Sequence, residues 1–352
     1  MNMRRIMKKA ALLLTVSMVL MTLAGCGGEK AAETLNLFTW DGMFPQEVLS
    51  GFEKEYGIKI NYSNFDYDED MLAKLETAKG GDYDLVIADD YIIEIAIAEG
   101  LVKKLDKSKL TNLANVDPVF QGHFYDKTDE YTVPYGAGIP LIVYDPEAVD
   151  IEITGYEDLW NPALKNNVAL IGNYRVIDGI VLKIMGKSFN ENDTAVIEEA
   201  GKKLLDLAPN VRLISDNNTQ DYLISGEAAA GFLYTSQVTM ALAARNDLKV
   251  VYPKEGLGFG IMAGFIPSQA PNEDAAHKFL DYILRPEIAA QCFEYIGYVC
   301  TNKAAVEYLS EEARQSLSLP EEAKSGEFIM DISAEANEVH ERIWTEFKAA
   351  LN

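Results

Sequence analysis

The sequence predicts an α/β protein of two lobes joined at a hinge, with a cleft between them. Three observations predict it. Strand-like segments alternate with single helices, first from Leu35 and again from Leu141. Two glycine-bearing stretches, Pro134–Pro140 and Gly256–Gly260, separate the blocks. The roughly 325 residues beyond the N-terminal leader also exceed one comfortable core, which favours two domains.

In chain order, Leu35–Phe38 reads as a strand. Pro45–Tyr56 follows as an amphipathic helix with Val48, Leu49 and Phe52 on one face. Ile58–Tyr62 alternates as a strand, Met71, Leu72 and Leu75 mark a helix, Tyr83–Ala88 is a strand and Ile92–Ala98 a short helix. Strands separated by single helices imply a parallel sheet covered on both faces. Pro134–Pro140, with Gly136 and Gly138 inside it, reads as a crossing whose glycines absorb hinge dihedrals. The second block has strands at Leu141–Tyr144, Val168–Ile171, Gly231–Tyr234 and Lys249–Tyr252, with helices around Ile177–Met185 and Thr194–Leu207. Gly256–Gly260 reads as the return crossing, followed by helices over Asp274–Ile296 and a final helix from Ala334 to Leu351. The expected division is 35–136 with 262–301 in lobe one, and 137–261 with 302–352 in lobe two. No internal repeat or low-complexity segment stands out. Ligands of open α/β sheets bind at the strand carboxyl ends, which places the site in the cleft.

The N-terminus addresses the protein outside the cytoplasm. Arg4, Arg5, Lys8 and Lys9 precede an uncharged run, Ala10–Gly25, that closes on Leu23-Ala24-Gly25-Cys26. A basic start, a short apolar run and small residues describe a secretory signal over residues 1–25. The run falls short of the ~20 apolar residues of a spanning helix. Cys26 after Leu-Ala-Gly resembles a bacterial lipobox, so Cys26 is expected to carry lipid, with 26–34 as a tether reaching no more than ~28 Å.

Beyond the leader, 27 Lys and Arg stand against 55 Asp and Glu, a net of −28. That field attracts cations and excludes nucleic acid as a partner. Besides Cys26 only Cys292 and Cys300 occur, and they read as two separate thiols. His123, His277 and His340 show no metal spacing, and the last two are expected to be solvated on helix surfaces. Nucleophile and phosphate-loop signatures are absent, so no enzyme, cofactor or metal is expected. Aromatics do gather at strand ends beside carboxylates: Trp40-Asp41, Asp89-Asp90-Tyr91, Tyr234, and Tyr298 after a helix. A cation over an aromatic face gains ~0.5–2 kcal/mol, and a carboxylate adds a charge-assisted hydrogen bond.

Several segments carry a family resemblance: Leu35-Asn36-Leu37-Phe38-Thr39-Trp40, Tyr83-Asp84-Leu85-Val86, and Gly100 through Asn112. Tyr156–Trp160, Pro253–Gly256, Ile296-Gly297-Tyr298 and Ser325–Phe328 continue it. In this order they resemble the spermidine/putrescine-binding proteins of bacterial ABC importers. The resemblance implies the periplasmic-binding-protein fold, a monomer closing on a small molecule, and delivery to a permease with its ATPase. It also implies that Trp40 and Tyr298 line the ligand site, that Tyr234 replaces a family Trp, and that Asp90 and Tyr91 lie in a contacting loop.

Departures from the family are as informative. Asn173 and Val176 flank Arg175 where the family has carboxylates. Gly260-Ile261-Met262 stand where it has a Trp and an ammonium-binding Asp, and Ile329 replaces a late Gln. A buried ammonium without acceptors is costly. Asp41, Asp89, Asp90 or Asp178 is therefore expected to substitute, suiting a shorter or singly charged amine. Thiamine, aminophosphonates and ferric ion are bound by neighbouring branches and stay open as ligands. A lipoprotein sensor or interaction subunit on the same fold is the alternative function.

Overall fold

A computed structural model describes residues 33–215, 218–316 and 326–351; Cys26 and the leader lie outside them. The chain begins β1 (Thr34–Thr39), α1 (Gln46–Tyr56), β2 (Lys59–Asn64), α2 (Asp68–Thr77), β3 (Leu85–Asp89) and α3 (Asp90–Ala98). β4 (Thr132–Gly138) and β5 (Leu141–Tyr144) then carry it into a second unit. There it forms β6 (Val168–Leu170), α4 (Tyr174–Ile184), α5 (Thr194–Leu205), β7 (Val211–Ile214), α6 (Thr219–Ile224), β8 (Ala230–Leu233), α7 (Thr235–Ala244) and β9 (Lys249–Val251). β10 (Gly258–Phe265), α8 (Glu273–Ile283), α9 (Pro286–Ile296), β11 (Val299–Cys300) and α10 (Glu311–Ser316) follow. β12 (Glu327–Phe328) and α11 (Ala334–Ala350) complete the described chain.

Among the described residues two sheets form. The first runs β11-β4-β10-β3-β1-β2, with β12 added on β10; the second runs β7-β6-β8-β5-β9. Neither is purely parallel, as the alternation alone implied. β10 is antiparallel to β3 and β4, and β5 is antiparallel to β8 and β9. Each antiparallel strand enters from the other unit, so a crossing has to reverse its direction. The two sheets consequently share one strand order, a repeat of topology that leaves no trace in the residues.

Apolar packing divides in the same way. Leu37, Phe52, Ile87, Phe279 and Cys292 fill the first core; Ile142, Leu170, Ile180, Phe232 and Trp344 fill the second. A third cluster runs through the crossing itself, from Val86 and Ala137 to Leu141 and Leu233. Burying a side chain such as Phe52 contributes about 1.5–3 kcal/mol. Ala305, Leu309 and Ala313 sit in the first core, past residue 301 where the sequence division placed the switch. Pro134–Gly138 belongs to a full strand, and Gly258–Phe265 lies wholly in the first sheet, so both glycine stretches are sheet before they are hinge.

Both helical histidines are buried, contrary to the solvated surface expected of them. His277 is 1 % exposed: its Nε2 accepts the Asp106 N–H at 2.9 Å and its Nδ1 donates to the Glu273 carbonyl. His340 is 0 % exposed and pairs with Asp178. The helices carrying them bury broad faces, so one polar position per helix falls inside. Cys292 is a buried free thiol and Cys300 a half-buried one, and burial pushes both up to about 12.

Candidate functional site

The site is built on the carboxyl ends of β1, β2 and β3, which run parallel with Thr39 opposite Asn64. Trp40, Phe65 and Asp89 therefore emerge along one edge. Trp40 leans on Phe65 with ring centroids 5.0 Å apart and planes tilted by 55°. Its carbonyl accepts the Tyr62 hydroxyl at 2.5 Å, which fixes the turn that presents the indole. Asp41, next along that turn, is exposed.

β3 delivers the acids. The Asp89 N–H donates to Asp68 Oδ1 at 3.4 Å, across the start of α2, and the two carboxyls hydrogen-bond each other. Burial pushes Asp89 up to about 7, with the Glu69 charge adding to it and the Asp68 hydrogen bond opposing it. Burial, then the charge of Asp89, lifts Asp68 well above the carboxylate range. Two carboxyls this close cannot both ionise in a dry site. A proton held between them relieves that repulsion.

Asp90 and Tyr91, expected in the contacting loop, divide their work. Asp90 is 1 % exposed, and its carboxylate accepts the N–H groups of Ile261 and Tyr91, each at 2.9 Å. It ties α3 to β10 and does not offer itself to a ligand. Burial, and then Asp89, raises its pKa. The Tyr91 hydroxyl donates to Glu69 Oε1 at 3.1 Å, which keeps that ring beside the acid pair.

Tyr298 comes from the far end of the lobe. α9 ends on Gly297 at φ 70°, a left-handed position that turns the chain and presents Tyr298. The ring lies flat on β4: a Cβ built on Gly138 would meet Tyr298 Cε1 at 3.2 Å. A side chain there would fit only if the ring gave by a few tenths of an ångström. Burial pushes Tyr298 up to about 12, while its hydroxyl bonds Ser236 and feels Asp89. Ser236 lies in α7, so this tyrosine spans the two lobes. Thr235 holds the crossing from the same helix start, accepting the Ile139 N–H at 2.6 Å and donating to the Ile139 carbonyl at 2.9 Å.

Lobe two faces this edge with helix N-termini. Asn173 caps α4, its Oδ1 accepting the Val176 N–H at 3.1 Å, so that oxygen is engaged within the protein. Tyr234 stands at the N-terminus of α7 and packs half-buried on the second core. Tyr174 is pushed up to about 12, by burial first and then by Glu69 of the opposite lobe. Arg175 donates to the Met330 carbonyl at 3.1 Å and lies within electrostatic reach of Tyr91. Asp178, expected as a substitute acid, turns into the interior to His340 and is no part of the cleft.

The structure thus brings Trp40, Tyr91 and Tyr298 to one edge with Asp89. It also adds Asp68, Glu69 and Tyr174, which the sequence reading did not select. Among the described residues no group of three or more His, Cys, Asp or Glu is arranged to hold a metal ion. A groove of about 710 Å³ runs along α2 from Asn64 and Phe65 to Tyr83.

Two mixed sheets of one strand order, linked by strand crossings and meeting at their carboxyl ends, define a two-lobed solute-binding protein. The chain belongs to the bacterial extracellular solute-binding proteins, whose family profile matches residues 47–318. It is 36 % identical over 321 residues to a spermidine/putrescine-binding periplasmic protein of Salmonella typhimurium, covering 90 % of this chain and 92 % of that one. A spermidine/putrescine ABC transporter structure from Listeria monocytogenes superposes with a TM-score of 0.83 at 31 % identity, covering 90 % and 99 % of the two chains. A spermidine/putrescine ABC transporter substrate-binding protein from Streptococcus pneumoniae gives 0.80 at 29 % identity, covering 91 % and 100 %. The periplasmic-binding-protein fold implied by the sequence is the fold observed.

Proposed function

We propose that the protein captures a small organic cation outside the cytoplasm and delivers it to an ABC permease and its ATPase, acting as a monomer. The observation that carries this reading is the Asp68–Asp89 carboxyl pair, set among Trp40, Tyr91 and Tyr298 at the strand ends. Aromatic faces and a half-protonated acid pair favour a cation and penalise an anion. The relatives named for spermidine and putrescine support an amine as ligand. A thermal-shift screen of the purified chain against amines, thiamine, amino acids, phosphonates and metal ions tests it, since a ligand of the folded state raises the midpoint. A response to anions alone would overturn the reading.

Two outcomes follow for the bound state. Trp40→Ala should weaken binding of whichever amine raises the midpoint by about 5- to 30-fold, the loss of ~1–2 kcal/mol of cation–aromatic attraction. Unchanged affinity by calorimetry would remove the indole from the site. Hinge closure should also reduce the radius of gyration when that amine saturates the protein, as read by small-angle scattering. No change would argue against closure.

Anchoring is the third element of the proposal. Cys26 follows Leu23-Ala24-Gly25 at the end of the leader, which supports lipidation there. Among the described residues no helix is long and apolar enough to cross a membrane. Cys26→Ser should release the chain from membranes or leave the leader uncut; unaltered membrane association of a processed chain would refute the anchor.

A further inference from the structure

Charge is distributed unevenly over the face between the lobes. On lobe one, Asp90 is engaged by two backbone N–H groups and Glu69 by the Tyr91 hydroxyl. Asp68 and Asp89 are left, bonded chiefly to one another. On lobe two the first turn of α4 carries no acid to match them. The Asn173 oxygen caps α4 and the Tyr174 hydroxyl donates to Asn337 Oδ1 at 3.0 Å. Val176, on the same turn of α4, is apolar and buried. Arg175 contributes a positive charge at the same helix start, bonded to a main-chain carbonyl and not to an acid.

We infer that the ligand carries a single cationic head, an ammonium or guanidinium seated on Asp68 and Asp89, with an uncharged remainder directed toward the N-terminus of α4. The inference rests on the cation reading proposed above and narrows its substrate class. A head placed on the pair displaces the proton shared there and meets two acceptors. A second ammonium at the other end meets the Val176 side chain, a capped helix start whose dipole is positive, and the guanidinium of Arg175. A linear diamine must leave that charge without a partner, and burying an unpaired charge is strongly unfavourable. Trp40, Tyr91 and Tyr298 do not restore the balance, since they lie on the edge that already holds the acids.

Calorimetry with 1-aminobutane and putrescine isolates this point, because the two differ only in the second amine. The monoamine should bind at least as tightly as the diamine. Asp89→Asn, nearly unchanged in shape, should weaken the monoamine by about 10- to 100-fold through loss of a charge-assisted hydrogen bond. Asn173→Asp keeps a good helix cap and adds a negative charge at the opposite end. It should raise the affinity for putrescine relative to 1-aminobutane by about tenfold. Putrescine binding tenfold more tightly than the monoamine to the parent would overturn the single head while leaving cation capture intact. Affinity unchanged by Asp89→Asn would remove the acid pair from the site, and a ratio unmoved by Asn173→Asp would place the ligand's tail elsewhere. If neither amine binds, the cation reading itself falls, and this inference with it.

Discussion

At pH 8 the ligand-free Asp89→Asn protein should be more stable than the parent by roughly 2–4 kcal/mol. Asp89 is pushed up to about 7 in the folded state, whereas its ordinary value is 3.8. Between those values the folded protein keeps a proton that the unfolded chain has lost. The free energy of unfolding therefore falls as pH rises from about 4 to about 7, and the whole penalty stands above that. The groups facing the carboxyl do not relieve it. Glu69 and Asp68 on α2 and Asp90 on α3 are acids, Tyr91 and Tyr298 are neutral phenols, and Arg175 of α4 interacts with Tyr174, Tyr91, Asp331 and Asp178 and not with Asp89. Asn at this position replaces repulsion from Asp68 with a donated hydrogen bond. Near pH 4 the two proteins should melt alike. A saturating cation should stabilise the parent and leave the variant unmoved. Equal melting at pH 8 would mean that the neighbours already accommodate two carboxylates, and the acid pair would lose its character as an empty cation seat. A site destabilised until its ligand arrives is a common exchange of stability for function.

Much of the scaffold was legible in the residues. The strand–helix alternation located most elements of the two sheets to within a residue or two, because the central strands are short runs buried on both faces and the helices carry one apolar face. What it could not supply was direction. Nothing in Gly258–Phe265 distinguishes a strand antiparallel to its neighbours from one parallel to them, and that reversal is set by the crossing. The site was legible in part for a related reason. Trp40, Tyr91 and Tyr298 are large aromatics at element ends, where no core periodicity explains them. Asp68 and Glu69 open a helix, where acids are already favoured by the dipole, so they carry no separate signal. Their meeting with Asp89 depends on β2 and β3 ending side by side across β1. Asn173 and Asp178 show the opposite case. Both are polar residues near the cleft in sequence, yet one is consumed by a helix cap and the other by His340.

His340→Ala should destabilise the protein by about 3–5 kcal/mol, the usual consequence of leaving one member of a buried pair alone. His340 Nδ1 lies 2.8 Å from Asp178 Oδ2, with both side chains almost wholly enclosed. Neither His340 Nε2 nor Asp178 Oδ1 has another hydrogen-bond partner, so nothing else can take up the lost contact. The pair joins α11 to α4, and the same face of α11 buries Ile343, Trp344 and Phe347 against the second core. Burial raises the pKa of Asp178, while His340 acts to lower it. Without His340 that opposition is gone, and the carboxyl must stay protonated or bear an unpaired charge. The loss should accordingly be greatest near neutral pH and shrink as acid protonates Asp178. Denaturant titrations of the two single variants and of the double variant with Asp178→Asn measure the coupling directly. The double variant should recover most of the loss at pH 7, because it removes the stranded charge. A single-variant cost below about 1 kcal/mol, or no recovery in the double variant, would show that the pair is not what secures α11. The same helix α4 presents Asn173 and Tyr174 to the cleft. Loosening its inner face should therefore weaken amine binding as well, by displacing the helix start that the proposed ligand approaches and without removal of any contacting group.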